Sequence, residues 1–330
     1  MGICFSTTKG IVSTLLNKVI DEGLAKYDDP IAQYWPEFAV NGKSDLTIRQ
    51  LLNHQTGIIQ CSLPDHIPLW DSAGVQEYLA QSTPSQAYVG RPAYHLVSYG
   101  WLVGELIFRI SGLTVSQLLD QVSTELDLDG LYIGVPEDQM SRVVPIITTQ
   151  KEVQRVQKLG QPLGRIAKAV LSLLGVDTAL IKNSIPKSLL VPGIVNDPRV
   201  IAGTMPSFNG VATARSLAKL YSVLANNGIN NGRQWMSPET VERFSTAQDS
   251  RRDKIVKIKR GWRYGYHQLF SLRHSVNKGF GHFGFGGSGA WAEPERQLSM
   301  GLVVNGGVGS MIGQLRCYKL TQAVLGCVKA

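Results

Sequence analysis

The chain has 330 residues, of which 43% are hydrophobic and 18% charged, and its formal net charge is +8. This composition is typical of a globular protein with one large domain or two interleaved ones, and no run of about 18 uncharged apolar residues predicts a transmembrane span. The basic residues cluster mainly between Arg251 and Arg260. Cations alternate there with apolar residues, as in a solvated strand, and no nucleic-acid-binding motif accompanies them, so we expect no nucleic-acid partner.

The first predicted element is a helix that begins near Ser6, because apolar residues recur at helical spacing until Gly23. Ser6 and Lys9 form an S-x-x-K pair, and both would lie on one face of the first turn. The Ser6 amide would be among the unpaired donors of a helix N-terminus, where negative charge is favoured. A hydroxyl beside an amine, with an amide facing a developing oxyanion, is an arrangement that supports nucleophilic catalysis.

The S-x-x-K motif alone is weak evidence, because the same pattern recurs at residues 184–187 and 216–219. Pro186 excludes an ordinary helical turn for the first of these pairs. The second pair lies inside a predicted amphipathic helix, where a serine is usually a surface residue. Cys4 is an alternative nucleophile, although no histidine is near it in the sequence. The four cysteines have no metal-binding or redox spacing, so we expect reduced and mostly buried thiols.

The middle of the chain is predicted to be mostly helical, from apolar periodicity bounded by capping residues and glycines. The predicted helices are a short one that Thr47, or Ser44 just before it, can cap and that ends around Gly57, and others over 73–81, 98–111, 114–122, 150–158, 166–174 and 211–226. Residues 126–136 are predicted to be a loop. His54 lies on the first of these helices behind two leucines, and we interpret it as a structural residue rather than a base.

After residue 228 the pattern changes to short strands joined by glycine-rich turns, which favours antiparallel pairing. The predicted strands span 255–259, 262–269, 280–283, 290–292 and 297–305, and a closing helix spans 311–328. We therefore predict an α/β fold of the α+β type, with an antiparallel sheet flanked by helices. Residues 1–24 and 205–330 would form the sheet domain, and residues 25–204 an inserted, mostly helical domain that covers the active site.

Three separated motifs together indicate a family. They are Ser6-Thr7-Thr8-Lys9, Tyr94-His95-Leu96 at the entry to a helix, and Gly281-His282-Phe283-Gly284 on a predicted strand. In this order and setting they resemble the serine β-lactamase and penicillin-binding-protein superfamily. Within it they resemble the esterase branch, the family VIII carboxylesterases and related serine hydrolases. The resemblance covers nearly the whole chain.

This resemblance implies a serine hydrolase that uses no cofactor or metal and acts on a small-molecule ester. Ser6 would be the nucleophile, and Lys9 and Tyr94 would transfer its proton; which of these two is the base stays open. By family analogy, the Ser6 amide and a strand amide would hold the oxyanion. The other residues implied in holding the oxyanion or bordering the substrate are Phe285, His282, Gly284 and His95.

Two departures from the family pattern bear on the substrate. Leu96 stands where the second motif often has asparagine, and His282 where the third motif often has lysine. Both changes remove a polar group that β-lactam-processing members use, so they favour a simple ester. Two alternatives remain: a β-lactamase or D-amino peptidase-type amidase, and a catalytically silent member that binds a ligand or partner.

Two further features of the sequence limit the interpretation. Residues 286–290 nearly match the G-x-S-x-G elbow of α/β-hydrolases, but that fold needs a histidine after the serine and none follows His282.

Only five residues precede Ser6. We therefore expect the family's N-terminal helix and first strands to be missing and one sheet edge to be unpaired. A targeting segment could be missing with them, which leaves the compartment open.

Overall fold

The computed structural model describes residues 1–148, 183–306 and 311–328, and its main sheet is antiparallel. The strands are, in chain order, β1 (Gly2–Ile3), β2 (Leu131–Tyr132), β3 (Val211–Ala212), β4 (Ile229–Asn230), β5 (Arg233–Gln234), β6 (His267–Gln268), β7 (Phe280–Phe283), β8 (Gly289–Glu293) and β9 (Leu298–Leu302). The main sheet has the order β6-β7-β8-β9, a smaller sheet has the order β1-β3-β2, and β4 and β5 form a hairpin. Two of the residues before Ser6, Gly2 and Ile3, thus form an edge strand of the smaller sheet.

Helices pack around these sheets and fill much of the middle of the described chain. They are α1 (Thr7–Asp21), α2 (Ile31–Tyr34), α3 (Ile48–Leu52), α4 (Ser72–Gln81), α5 (Ser98–Ser111), α6 (Val115–Glu125), α7 (Pro198–Ala202), α8 (Ala214–Ala225), α9 (Pro238–Ser245) and α10 (Met311–Gly326). The predicted α/β fold with an antiparallel sheet flanked by helices is confirmed. The helices predicted over 150–158 and 166–174 lie outside the described residues.

Helix α1 is enclosed by the rest of the fold and positions the first motif. It packs between α5 and strand β7, and almost all of its residues are buried. Gly10 allows this close approach, because a Cβ there would lie 3.1 Å from the His282 Cβ and 2.2 Å from the Tyr221 hydroxyl. The third motif is therefore held directly against the first turn of α1.

Helix α5 confirms the prediction over 98–111, and it ends at Gly112 in the left-handed conformation with φ of 75°. Because glycine has no Cβ, it adopts this conformation at the end of a helix with little steric cost. The capping role predicted for Thr47 is also confirmed, because its side chain accepts from the Gln50 amide in a capping box. That helix is shorter than predicted: it ends at Leu52, and His54 already has a φ of 58°.

Several predicted boundaries are wrong for identifiable reasons. Residues 255–259 form a turn and not a strand, because the buried Asp253 carboxylate accepts from the amides of Ile255 and Val256. Only residues 267–268 of the predicted strand 262–269 join the sheet. Residues 211–212 and 131–132 pair as strands β3 and β2, in segments predicted to be helix and loop.

No single helix among the described residues is long and apolar enough to cross a membrane. By length and composition alone the pair α5 and α6 qualifies, but these helices meet at an angle of 75°. Most of their apolar residues belong to the protein core, although Phe108 of α5 is exposed.

Candidate active site

Ser6 lies at the N-terminus of α1 with its hydroxyl free of any capping role. It is the N-cap residue, yet its side chain accepts no hydrogen bond from the helix amides. The chain turns sharply just before it, since Phe5 has a φ of 47°, which a bulky residue rarely adopts. Ser6 is half-buried, whereas its neighbours in the first turn are buried. Its hydroxyl is therefore positioned where a small molecule can reach it.

Lys9 is fully buried one turn further along α1, and its amine donates to three oxygen atoms. Its Nζ donates to the carbonyls of Leu96 at 2.7 Å and Ser207 at 3.0 Å, and to Ser6 Oγ at 3.4 Å. No carboxylate among the described residues pairs with it. Burial lowers the pKa of Lys9 from 10.5 to about 7, because the charged form is poorly solvated. A substantial neutral fraction is thus present near neutral pH, and a neutral amine can accept a proton.

Tyr94 brings the second motif to the same place. Lys9 Nζ lies 5.1 Å from the centre of its ring. Burial raises the pKa of Tyr94 to about 12, and the interaction of its phenol with the Ser6 side chain only partly offsets this. The phenol is therefore protonated near neutral pH. The structure therefore places Ser6, Lys9 and Tyr94 next to one another.

The position of Tyr94 depends on residues that sequence reasoning missed. Trp262 stacks on its ring with centroids 5.5 Å apart, and the buried Asp253 carboxylate accepts from its backbone amide at 3.3 Å. His54 packs edge-on against it at 5.0 Å, which fits the structural interpretation of that histidine. Trp262 and Asp253 follow Tyr94 by more than 150 residues, and no local pattern links them to it.

Strand β7 positions the third motif beside the other two. The His282 ring is buried, its centroid lies 6.1 Å from that of Tyr94, and its Nε2 has no hydrogen-bond partner among the described residues. Burial, followed by the nearby His267 and Lys9, holds the pKa of His282 well below its usual range. The imidazole is therefore neutral, and it supplies no positive charge beside Tyr94.

The end of β7 lies against the residues that precede α1. A Cβ on Gly284 would lie only 2.1 Å from the Cys4 carbonyl oxygen, so the two segments touch through backbone and glycine is required there. The rings of Phe5 and Phe285 meet edge to face at 6.0 Å. In the described part of the chain the backbone amides of Ser6 and Phe285 donate to no backbone acceptor. Two free donors therefore stand at the junction of α1 and β7.

His95 is placed differently from what the resemblance implies. The ring is fully buried, with Nε2 at 2.7 Å from Thr56 Oγ1 and Nδ1 at 2.8 Å from the Ala93 carbonyl. Its backbone amide donates to His54 Nδ1. Both ring nitrogens are engaged away from Ser6, so this geometry favours a role in positioning Tyr94 over contact with a substrate.

The alternative nucleophiles have different surroundings. Cys4 is fully buried, its thiol donates to the Gly2 carbonyl, and burial raises its pKa to about 12, so it is not a thiolate near neutral pH. The Ser288 hydroxyl is buried and accepts from the Val304 amide.

No group of three or more histidine, cysteine or acidic residues suited to a metal ion is found within the described ranges.

Comparisons with known proteins agree with this arrangement. The sequence profile of the family Beta-lactamase matches residues 4–320. The chain is 32% identical over 308 residues to "Esterase/beta-lactamase LipL" of Mycobacterium tuberculosis, covering 91% of this chain and 68% of that protein.

Two solved structures extend the likeness to the whole fold. A penicillin-binding-protein homologue from Caulobacter crescentus superposes with a TM-score of 0.80 and 30% identity, covering 98% of this chain and 83% of that one. A family VIII carboxylesterase superposes with a TM-score of 0.77 and 26% identity, covering 96% of this chain and 82% of that one.

Proposed function

This chain belongs to the Beta-lactamase family, and from that premise we propose that it hydrolyses small carboxylic esters through an acyl intermediate on Ser6. One observation carries the proposal: the buried Lys9 amine, with no acidic partner among the described residues and a pKa of about 7, lies 3.4 Å from Ser6 Oγ. A serine hydroxyl is a weak nucleophile near neutral pH unless a base lies within reach. Lys9 is that base in the proposed reaction.

Acylation begins when Ser6 Oγ attacks the ester carbonyl carbon while its proton moves to the neutral Lys9 amine. The carbonyl oxygen gains the negative charge. The free amides of Ser6 and Phe285 are the donors we assign to it, and donors fixed before the reaction stabilise such charge without reorganising. Negative charge is also favoured at the N-terminus of α1.

The ester bond then breaks, and the leaving alkoxide takes a proton from the Tyr94 hydroxyl. Tyr94 suits this role because its pKa of about 12 keeps it protonated, and it regains a proton from the Lys9 ammonium. The alcohol departs and the acyl group remains on Ser6. A water molecule then attacks the acyl carbon, the same groups act in reverse order, and the carboxylic acid is released.

Esters are proposed over β-lactams because of the two departures in the motifs. Leu96 has an apolar side chain where related enzymes have an amide, and the neutral His282 does not replace a lysine ammonium. Hydrogen bonds to charged groups contribute about 1.5–3 kcal/mol. We therefore expect turnover of the chromogenic cephalosporin nitrocefin to be about 10–100-fold slower than that of a nitrophenyl ester. Equal rates would favour the β-lactamase alternative, which the name of the mycobacterial relative also includes.

The direct test is labelling with a fluorophosphonate probe, followed by mapping of the modified peptide. We expect the label on Ser6, its loss in Ser6→Ala, and its retention in the matched control Ser288→Ala. Labelling of Ser288 in place of Ser6 would contradict the proposed nucleophile. A folded protein with neither label nor ester turnover would favour the catalytically silent alternative.

A further inference from the structure

Tyr94 lies in an irregular segment that precedes α5, whereas the other two groups of the proposed reaction lie at the start of α1. The position of its hydroxyl therefore depends on what its backbone and its ring contact. A distant part of the chain holds this segment. The Lys254 amide donates to the Pro92 carbonyl at 2.8 Å, and the Tyr94 amide donates to Asp253 Oδ1 at 3.3 Å.

The two oxygens of the Asp253 carboxylate have different partners. Oδ1 accepts from the amides of Ile255 at 2.8 Å, Val256 at 3.0 Å and Tyr94. Oδ2 accepts from the indole Nε1 of Trp262 at 3.1 Å. Asp253 is buried, so these donors take the place of the water that a carboxylate needs. One oxygen thus ties a turn to the backbone of Tyr94, and the other fixes an indole.

This indole is the surface against which the Tyr94 ring packs. The two rings are stacked, with centroids 5.5 Å apart and planes at 14° to each other. His54 packs edge-on against Trp262 at 4.2 Å, and Trp262 is itself buried. The hydrogen bond to Asp253 therefore fixes the orientation of the indole, and the stacked indole fixes the plane of the phenol.

The same carboxylate also acts on the proton of Tyr94. Burial is the main cause of the raised pKa of Tyr94, and the negative charge of Asp253 contributes to it. A general acid has to keep its proton until the leaving group needs it. Asp253 therefore favours the protonated form of the phenol as well as its position.

We propose that Asp253 and Trp262 are positioning residues, which hold the Tyr94 hydroxyl where it can protonate the leaving alkoxide. They act through Tyr94, so the proposal rests on the role of Tyr94 in the proposed ester hydrolysis. A general acid matters most for a leaving group that is a strong base and least for one that departs as a stable anion. Loss of this positioning should therefore depend on the leaving group, whereas general damage to the fold would slow all esters alike.

The test uses three acetate esters with one acyl group and increasingly basic leaving groups: 4-nitrophenyl, phenyl and ethyl acetate. The quantity measured is kcat/KM, which includes the acylation step in which the alcohol departs. Tyr94→Phe is the reference, and its loss should increase from the nitrophenyl to the ethyl ester. Asp253→Asn keeps an oxygen for the three amides but presents an NH₂ group to the Trp262 indole. It should lower kcat/KM by about 10–100-fold for ethyl acetate and by at most about threefold for 4-nitrophenyl acetate.

Trp262→Phe removes the same hydrogen bond from its other side and should show the same dependence on the leaving group. The two changes should not be additive. The double variant should lose at most about threefold more than the more affected single variant, because the same interaction can be removed only once.

The chain offers a matched control for each change. Asp249 is also buried, but its carboxylate pairs with Arg251. Trp291 is also buried, but its indole donates to Thr321. Asp249→Asn and Trp291→Phe should therefore change kcat/KM by the same factor for all three esters, whatever they do to stability.

The reference variant separates failure of this inference from failure of the proposed function. An equal loss for all three esters in Asp253→Asn and Trp262→Phe, with a dependence on the leaving group in Tyr94→Phe, would overturn the inference alone. If Tyr94→Phe also slows all three esters alike, the proposed role of Tyr94 is wrong and the inference fails with it. If Asp253→Asn does not fold, Trp262→Phe decides the question.

Discussion

Two S-x-x-K pairs stand near helix N-termini in this chain, and their surroundings are opposite. Ser6 and Lys9 begin α1, where the lysine is fully buried, has no acidic partner among the described residues and faces the serine. Ser216 and Lys219 lie in the first half of α8. There the lysine side chain is 32% exposed and pairs with Asp127 at 2.8 Å.

The two serines differ in the same way. The Ser216 hydroxyl donates to the Asp129 carbonyl, and its amide donates to the capping Thr213 side chain, so the residue serves the helix end. The Ser6 hydroxyl performs no capping and contacts Lys9 and Tyr94 instead. The same four-residue pattern therefore has a chemical use in one place and a structural use in the other. Burial of the lysine without an acidic partner makes the difference.

The largest expected effect is the loss of activity when the Ser6 hydroxyl is removed, compared with removal of the Ser216 hydroxyl. Ser6→Ala should lower kcat for a short-chain nitrophenyl ester by about 10⁴-fold or more, since removal of a nucleophile eliminates the acyl route. Ser216→Ala should leave kcat within about twofold, because its hydroxyl only supports a helix end. Steady-state assays with circular dichroism of both variants provide the measurement. Full activity in folded Ser6→Ala would refute the proposed nucleophile.

The next effect concerns two buried tyrosines that lie close together. Tyr94→Phe should lower kcat by about 10²–10⁴-fold, the usual contribution of a general acid–base group, without changing the circular dichroism. Tyr99 hydrogen-bonds to Ser13 within the core, so Tyr99→Phe should act mainly on stability. If only Tyr99→Phe lost activity, the second motif would be wrongly assigned.

A third expectation follows from the pKa of Lys9. The base must be neutral, so kcat/KM should rise about tenfold per pH unit below pH 7 and level off above about pH 7, where Lys9 has lost its proton. Lys219→Met should keep this profile unchanged. A profile that is flat from pH 5 to 9 would remove Lys9 from the role of base.

The lowered pKa of Lys9 also predicts how the stability of the fold depends on pH, and this is the smallest of the expected effects. The pKa of Lys9 is about 7 in the folded chain against an ordinary value of 10.5, so the unfolded state binds more protons between these values. Stability should therefore rise with pH in that range, by at most about 1.4 kcal/mol per pH unit from this group. Melting temperatures of Lys9→Met between pH 7 and 9 should lack this increase relative to the wild type. The matched control Lys219→Met should retain it.

Local sequence was sufficient to predict those elements whose limits are set by their own residues. Helix α5 matches its prediction because apolar periodicity, a long uninterrupted run and Gly112 all agree. Thr47 was predicted as one of two possible caps, with Ser44, and in the structure it forms a capping box with a residue three positions on. The order of the three motifs likewise indicated the family, and the family profile confirms it.

Other features depended on contacts between distant residues. The pattern of residues 255–259 is typical of a strand, but Asp253 forms a turn by accepting from the two amides that follow, and it also holds Tyr94 and Trp262. The pairing of residues 211–212 with two short strands decided their conformation against the helical pattern. A short segment with an ambiguous pattern adopts whichever structure its partners complete.

The sequence by itself indicated the fold family and the candidates Ser6, Lys9 and Tyr94, because the residue types, order and setting of the three motifs resemble those of that family. Only the tertiary structure decided which S-x-x-K pair has a buried lysine, since burial of Lys9 requires the carbonyls of Leu96 and Ser207, which come from two distant segments. The environment of His95 was decided in the same way by Thr56 and Ala93. Residue types give the chemical groups, but desolvation and hydrogen-bond partners set their pKa values and orientation, and both arise from packing between segments far apart in the chain.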